Sequence, residues 1–232
     1  MTGVARPVIV HAGPWVKPAL TGLIFSIIAT TWGAWAAGRG LPLFFGAILL
    51  TVFYVPALTI AEPPLFRWIP PLTAAIGITF CWFTSLHFVD ASIIDLFRCA
   101  LICLTFTFAL AGIAAALSRI YIPPSTAAFL VTIVALLWLT WPVWLSHALT
   151  QSRVNLLTPA HPLLAINGVL HHLGSWDRAT LAYQRLTILN QDIPYTLPRA
   201  IFPTVTLHTL IAAVCFGLSV LQFPRSRGSA PN

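Results

Sequence analysis

Seven histidines are the side chains in this 232-residue chain best suited to chemistry, and they are unevenly spread. An imidazole inside or beside hydrocarbon is costly unless it faces protein or water. His208, one turn into the last long apolar run, is therefore the leading candidate for a polar site. His87 and His147, at the ends of two other apolar runs, come next, and Asp90 and Asp192 are the nearest carboxylates with a claim on the same site. Three imidazoles brought together with a carboxylate such as Asp90 would bind zinc or copper, and a pair from separate helices would ligate haem. No HxxxH, HExxH or CxxCH spacing enforces such a site. The competing reading makes each histidine an independent interfacial residue that bonds a backbone carbonyl or faces water. Adjacent His171 and His172 would point about 100° apart on a helix, so they do not chelate one ion.

Other reactive groups carry less. Cys81, Cys99, Cys103 and Cys215 all fall inside apolar runs, where a free thiol behaves as a small hydrophobe. Cys99 and Cys103 share a helix face, yet two thiols without further ligands are a weak metal signal. The chain has no P-loop and no Gly-x-Ser-x-Gly, and no charged residue interrupts its six long apolar runs. Thr105, Thr107, Thr132 and Thr140 are polar groups within those runs, and threonine there is routine in helix packing.

The elements that must position these groups follow from composition. Hydrophobic residues make up 58% of the chain and charged ones 7%, against about 25% charged in a soluble domain. Water cannot cover such a surface, so lipid must. The net charge of +7 comes from basic residues spread singly between apolar runs, which excludes a phosphate-tracking patch and with it a nucleic-acid partner. A hydrocarbon core of about 30 Å needs about 20 apolar helical residues. Six uncharged windows meet that need: Pro18 to Ala37, Leu43 to Ala61, Pro71 to Phe88, Cys99 to Leu117, Ser125 to Ser146 and Thr204 to Phe223. Backbone polar groups in lipid must be satisfied within the element, and the windows are too long and too little alternating for barrel strands. The fold class expected is therefore all-α, a single transmembrane domain over residues 1–232 with six spans, and with the first span retained rather than cleaved.

Arg6, Lys17, Arg67, Arg119, Arg225 and Arg227 lie on one side of these spans, against Arg39 and Arg98 in the short loops of the other. The bias predicts that both termini face the cytoplasm. His11 is then inside and the other six histidines lie toward the outside. Trp138, Trp141 and Trp144 approach the outer end of the fifth span as an interfacial belt, or alternatively as a ligand platform. Pro56 and Pro142 are expected to kink their spans. Gly33 with Ala37, Ala111 with Ala115, and Gly112 with Ala116 are small-residue pairs that permit close helix approach.

Residues 147–203, between spans five and six, are too long for a turn and too apolar for a disordered tail. A short helical hairpin fits. Its first helix runs from Pro162 to Leu173 with Leu163, Ile166, Leu170 and Leu173 as a stripe, and Gly174 ends it. A second runs from Trp176 to Leu189, and the pair is expected to lie on the outer membrane surface.

Six spans, cytoplasmic termini and a helical outer connection before the last span together resemble the layout of ABC-2-type exporter permeases. The resemblance implies a transport permease subunit that borrows ATP hydrolysis from a separate cytoplasmic ATPase and works as a homo-oligomer or paired with a related permease. It implies no bound cofactor. Two alternatives stand beside it: a redox subunit holding haem or a transition metal through His87, His147 and His208, and an accessory subunit without a site of its own.

Overall fold

A computed structural model describes isolated positions within 16–28 and residues 41–84, 91–120, 122–145, 148–170, 197, 198 and 200–220, with backbone alone for 41–47 and 84. The described residues are 86% helical and contain no strand. Seven α-helices follow in order: α1 Leu41–Ala61, α2 Ile69–Thr84, α3 Ile93–Leu117, α4 Pro124–Trp144, α5 Gln151–Leu157, α6 Pro162–Val169 and α7 Phe202–Val220. Single 3-10 turns at Pro64–Phe66 and Thr158–Ala160 join α1 to α2 and α5 to α6.

Three of these helices, α3, α4 and α7, are long and apolar enough to cross a membrane, which is compatible with a membrane protein. Their outward faces carry Phe97, Phe129, Leu210 and Val214 exposed, a surface suited to lipid and not to water. Helical backbone also occurs within 16–28. In α1 the stretch Ile48–Ala61 is apolar but shorter, and α2 has 16 residues.

Local chemistry sets the ends. α3 starts six residues before the uncharged window because Ser92 caps it, accepting from the Asp95 amide at 3.1 Å while its hydroxyl donates to Asp95 Oδ2 at 2.6 Å. Asp95 in the first turn also complements the helix dipole, and Arg98 pairs with it at 3.5 Å. The charges therefore sit in the opening turns, and the apolar run follows. Pro124 at the first position of α4 and Pro162 at that of α6 start helices where the missing N–H costs nothing.

α3 is the hub, touching α1, α2, α4, α6 and α7. It runs antiparallel to α2, since Thr107 Oγ1 donates to the Pro71 carbonyl at 3.3 Å while Phe83 meets Phe97 farther along at 5.7 Å. It runs parallel to α7: Phe106 lies against His208 at 5.4 Å, and Gly112 is placed where an added Cβ would stand 3.2 Å from the Ala212 backbone and from Cys215 Cβ. Ala111 and Ala115, fully buried beside it, complete the close-packed surface anticipated from the small-residue spacing. Gly33 and Ala37 lie outside the described residues. Arg67 joins the loops after α1 and α3 at one end of the bundle, donating to Ser118 Oγ at 2.8 Å and the Ala115 carbonyl at 3.4 Å.

At the opposite end the chain between α4 and α7 departs from its expected placement. α6 is not laid on a surface: Leu163, Ile166 and Leu170 form the anticipated stripe, but they are buried in the main core with Ile48, Val52, Cys99 and Cys103. The helix is also shorter than expected, since it ends at Val169 with Leu170 leaving the helical region at φ −96°, ψ 9°. A short helix that packs on several neighbours at once derives its stability from those contacts and not from its own length. Gly168 is required there because a Cβ would collide with the Pro198 carbonyl. α5, with only Val154 buried, was not anticipated. The second predicted helix, Trp176 to Leu189, lies outside the described residues.

Candidate functional site

Proline within a helix removes an N–H and leaves the carbonyl four residues earlier without its donor. Pro56 does this to Val52 and Pro142 does it to Trp138. In lipid such a carbonyl must find another donor. The Val52 carbonyl does so from a neighbouring helix, where Thr132 Oγ1 of α4 donates to it at 3.0 Å. Next to the Trp138 carbonyl, His161 in the connection before α6 places Nε2 3.1 Å from the carbonyl of the following residue, Leu139.

His161 is thereby fixed in one tautomer. Its Nδ1 accepts from the Leu164 amide at 3.2 Å as the cap of α6, so Nδ1 carries the lone pair and Nε2 carries the proton. The ring is fully buried between Trp138 and Trp141, at centroid separations of 5.8 and 6.0 Å. Burial lowers its pKa to about 3, the carbonyl bonds oppose that shift, and the nearby imidazole of His208 lowers it further. His161 is neutral throughout the physiological range.

His208 is buried on α7, edge-on to Phe106. Its Nδ1 lies 2.8 Å from the Thr204 carbonyl, which can only accept, so Nδ1 bears the proton and Nε2 is left as the bare nitrogen. Thr204 Oγ1 in turn donates to the Pro159 carbonyl at 2.5 Å, tying the first turn of α7 to the connection. One imidazole thus has both nitrogens engaged, and the other engages Nδ1 alone. Asn167 on α6 is wholly buried, and among the described residues neither its Nδ2 nor its Oδ1 has a partner; the buried indole N–H of Trp141 likewise has none among them.

Of the residues singled out in the sequence, His208 occupies a buried polar position, while His87, His147, Asp90 and Asp192 lie outside the described residues. The arrangement His87, His147, His208 with Asp90 is therefore not assembled among described residues, and within that set no three His, Cys, Asp or Glu side chains are grouped to hold a metal. His161, Asn167 and Thr204 were not singled out. A signal for His161 exists: it precedes Pro162, and a residue before a first-turn proline is a helix cap. Thr132 had the signal of Pro56, but nothing local pairs the two. Thr105, Thr107 and Thr140 bond carbonyls of their own helices, as packing threonines do. Of the three tryptophans, Trp141 is buried on His161 and Trp144 is exposed.

No protein family, curated protein or solved structure matches the chain.

Proposed function

We propose that this protein is an integral membrane transport permease subunit of six spans, with both termini in the cytoplasm. The observation that carries this reading is non-helical backbone held inside the bundle: beside α1 and α4, which each run on through an internal proline, the connection is folded back so that His161 bonds α4 five residues before its end. At 1.5 Å per residue that is about 7.5 Å inside the helix. Non-helical backbone at membrane depth is tolerated where protein or a watered cavity surrounds it, and interrupted helices mark substrate sites in many transporters. The polar candidates at that end are His208 with its open Nε2 and Asn167.

In this reading the spans beyond α3, α4 and α7 are the remaining apolar windows of the sequence, of which α1 and α2 are described. The antiparallel α2 and α3, the parallel α3 and α7, and the shared end of the Arg67 and Ser118 loops support alternating spans of this kind. The ABC-2-type layout adds a cytoplasmic ATPase partner and self-association or pairing with a related permease. Copurification of a membrane ATPase whose turnover depends on this chain is the expected result. Purified, correctly inserted protein with no such partner would set the ABC-2 assignment aside.

A haem- or metal-binding role draws on the open Nε2 of His208, to which His87 and His147 would have to contribute. A Soret band or stoichiometric metal lost on His208→Ala would establish it, and colourless, metal-free protein would dismiss it.

A further inference from the structure

Residues 158–170 fill the end of the bundle as an inserted segment, and two opposing features act on it. One holds it in: His161 Nε2 bonds the Leu139 carbonyl of α4 at 3.1 Å, and Thr204 of α7 donates to the Pro159 carbonyl. The other works against insertion: Asn167 is carried to zero exposure with both amide atoms unpartnered. An amide desolvated without a partner raises the energy of the inserted state relative to one in which water reaches it. Among the described residues no polar group compensates it, and α6 packs on α1 and α3 through apolar contacts.

We propose that residues 158–170 form a withdrawable plug, latched by His161 onto the Pro142 region of α4 and biased toward withdrawal by Asn167, which gates the buried polar end of the bundle. The proposal rests on the transport reading, whose site it would cover, and names how that site is opened. Withdrawal breaks the bonds from His161 to Leu139 and from Thr204 to Pro159, hydrates Asn167, and uncovers the face of α3 that carries Cys99 and Cys103. Packed cores switch between discrete arrangements, so the plug is either in or out. Pro142 supplies the flexible point in α4, because the helix there already lacks one backbone bond.

Native cysteines report the state. Cys99 and Cys103 are fully buried in the cluster shared with α6, while Cys215 lies beside Gly112 at the crossing of α3 and α7. Alkylation of each thiol by a small membrane-permeant maleimide is followed by mass spectrometry, on the full chain in proteoliposomes. His161→Phe keeps a ring but removes the bond to Leu139 along with the α6 cap, and should raise the alkylation rate of Cys99 and Cys103 about tenfold while Cys215 is unchanged. Asn167→Leu removes the unpaired amide while keeping the branched side-chain shape, and should slow alkylation of the same two thiols and raise the thermal midpoint. A common change at all three cysteines in His161→Phe would mean general loosening and overturn the plug. Unchanged rates or a lowered midpoint in Asn167→Leu would overturn the bias assigned to Asn167. Neither readout involves a substrate, so a working plug in a chain without transport would count against the transport reading alone.

Discussion

The pairing of Thr132 with the carbonyl freed by Pro56 can be tested by a double-mutant cycle. Thr132→Val is close to isosteric and removes only the hydroxyl that donates to Val52 at 3.0 Å. Hydrogen bonds between membrane helices average about 0.6 kcal/mol and reach about 1.7. Here the upper part of that range applies, because Val52 is fully buried and its carbonyl has no helical donor to fall back on. Leaving a buried carbonyl unpaired costs about 1–3 kcal/mol, so Thr132→Val should destabilise by about 1.5–2 kcal/mol in the native background. In Pro56→Ala the restored amide N–H can close the helical bond to Val52, and Thr132→Val should then cost close to nothing. Reversible unfolding in mixed micelles measures all four corners of the cycle, and the coupling should be about 1 kcal/mol or more. An equal cost of Thr132→Val in both backgrounds would refute the reasoning, since the hydroxyl would then be stabilising something other than the proline-freed carbonyl.

Further outcomes follow from named contacts. His161 is neutral in the fold and protonated below its ordinary value when unfolded, so the unfolded state binds more protons between about pH 6.5 and 3. Stability should fall as pH drops through that window, by up to about 1.4 kcal/mol per unit, and His161→Gln should flatten the slope in a chemical-denaturation series. Gly168→Ala should destabilise by about 1–3 kcal/mol, read as a lowered midpoint, because its methyl meets the Pro198 carbonyl. Ser92→Ala should cost about 1 kcal/mol through loss of the α3 cap, and Ser92→Asp should restore most of it. Gly112→Leu should separate α3 from α7 and lower the midpoint further than Gly217→Leu, whose added Cβ meets nothing within 4 Å.

His208 stood out because an imidazole within an apolar run must face protein or water; it is buried and bonds the Thr204 carbonyl of its own helix, which the reading of independent histidines expects equally. His161 did not stand out, because its place in the connection looked aqueous. Only the inward fold of α6 puts it among Trp138, Trp141 and Leu139. The stripe of Leu163, Ile166 and Leu170 was correctly read as one helical face, but a stripe says nothing of whether lipid, water or protein will cover it. Here protein covers it.

By itself the sequence determined that the chain is helical and apolar enough to be compatible with a membrane protein, because long uncharged runs leave backbone groups no partner but their own helix. It also indicated the start of α6 at Pro162 and the close approach at Gly112, whereas the Ser92 cap starts α3 six residues ahead of the uncharged window. Only the tertiary structure decided which donors satisfy Val52 and reach Leu139, and where the connection before α7 goes. Those depend on which helices lie side by side, and hydrogen bonds reaching 80 residues from Thr132 to Val52 leave no periodic trace along the chain.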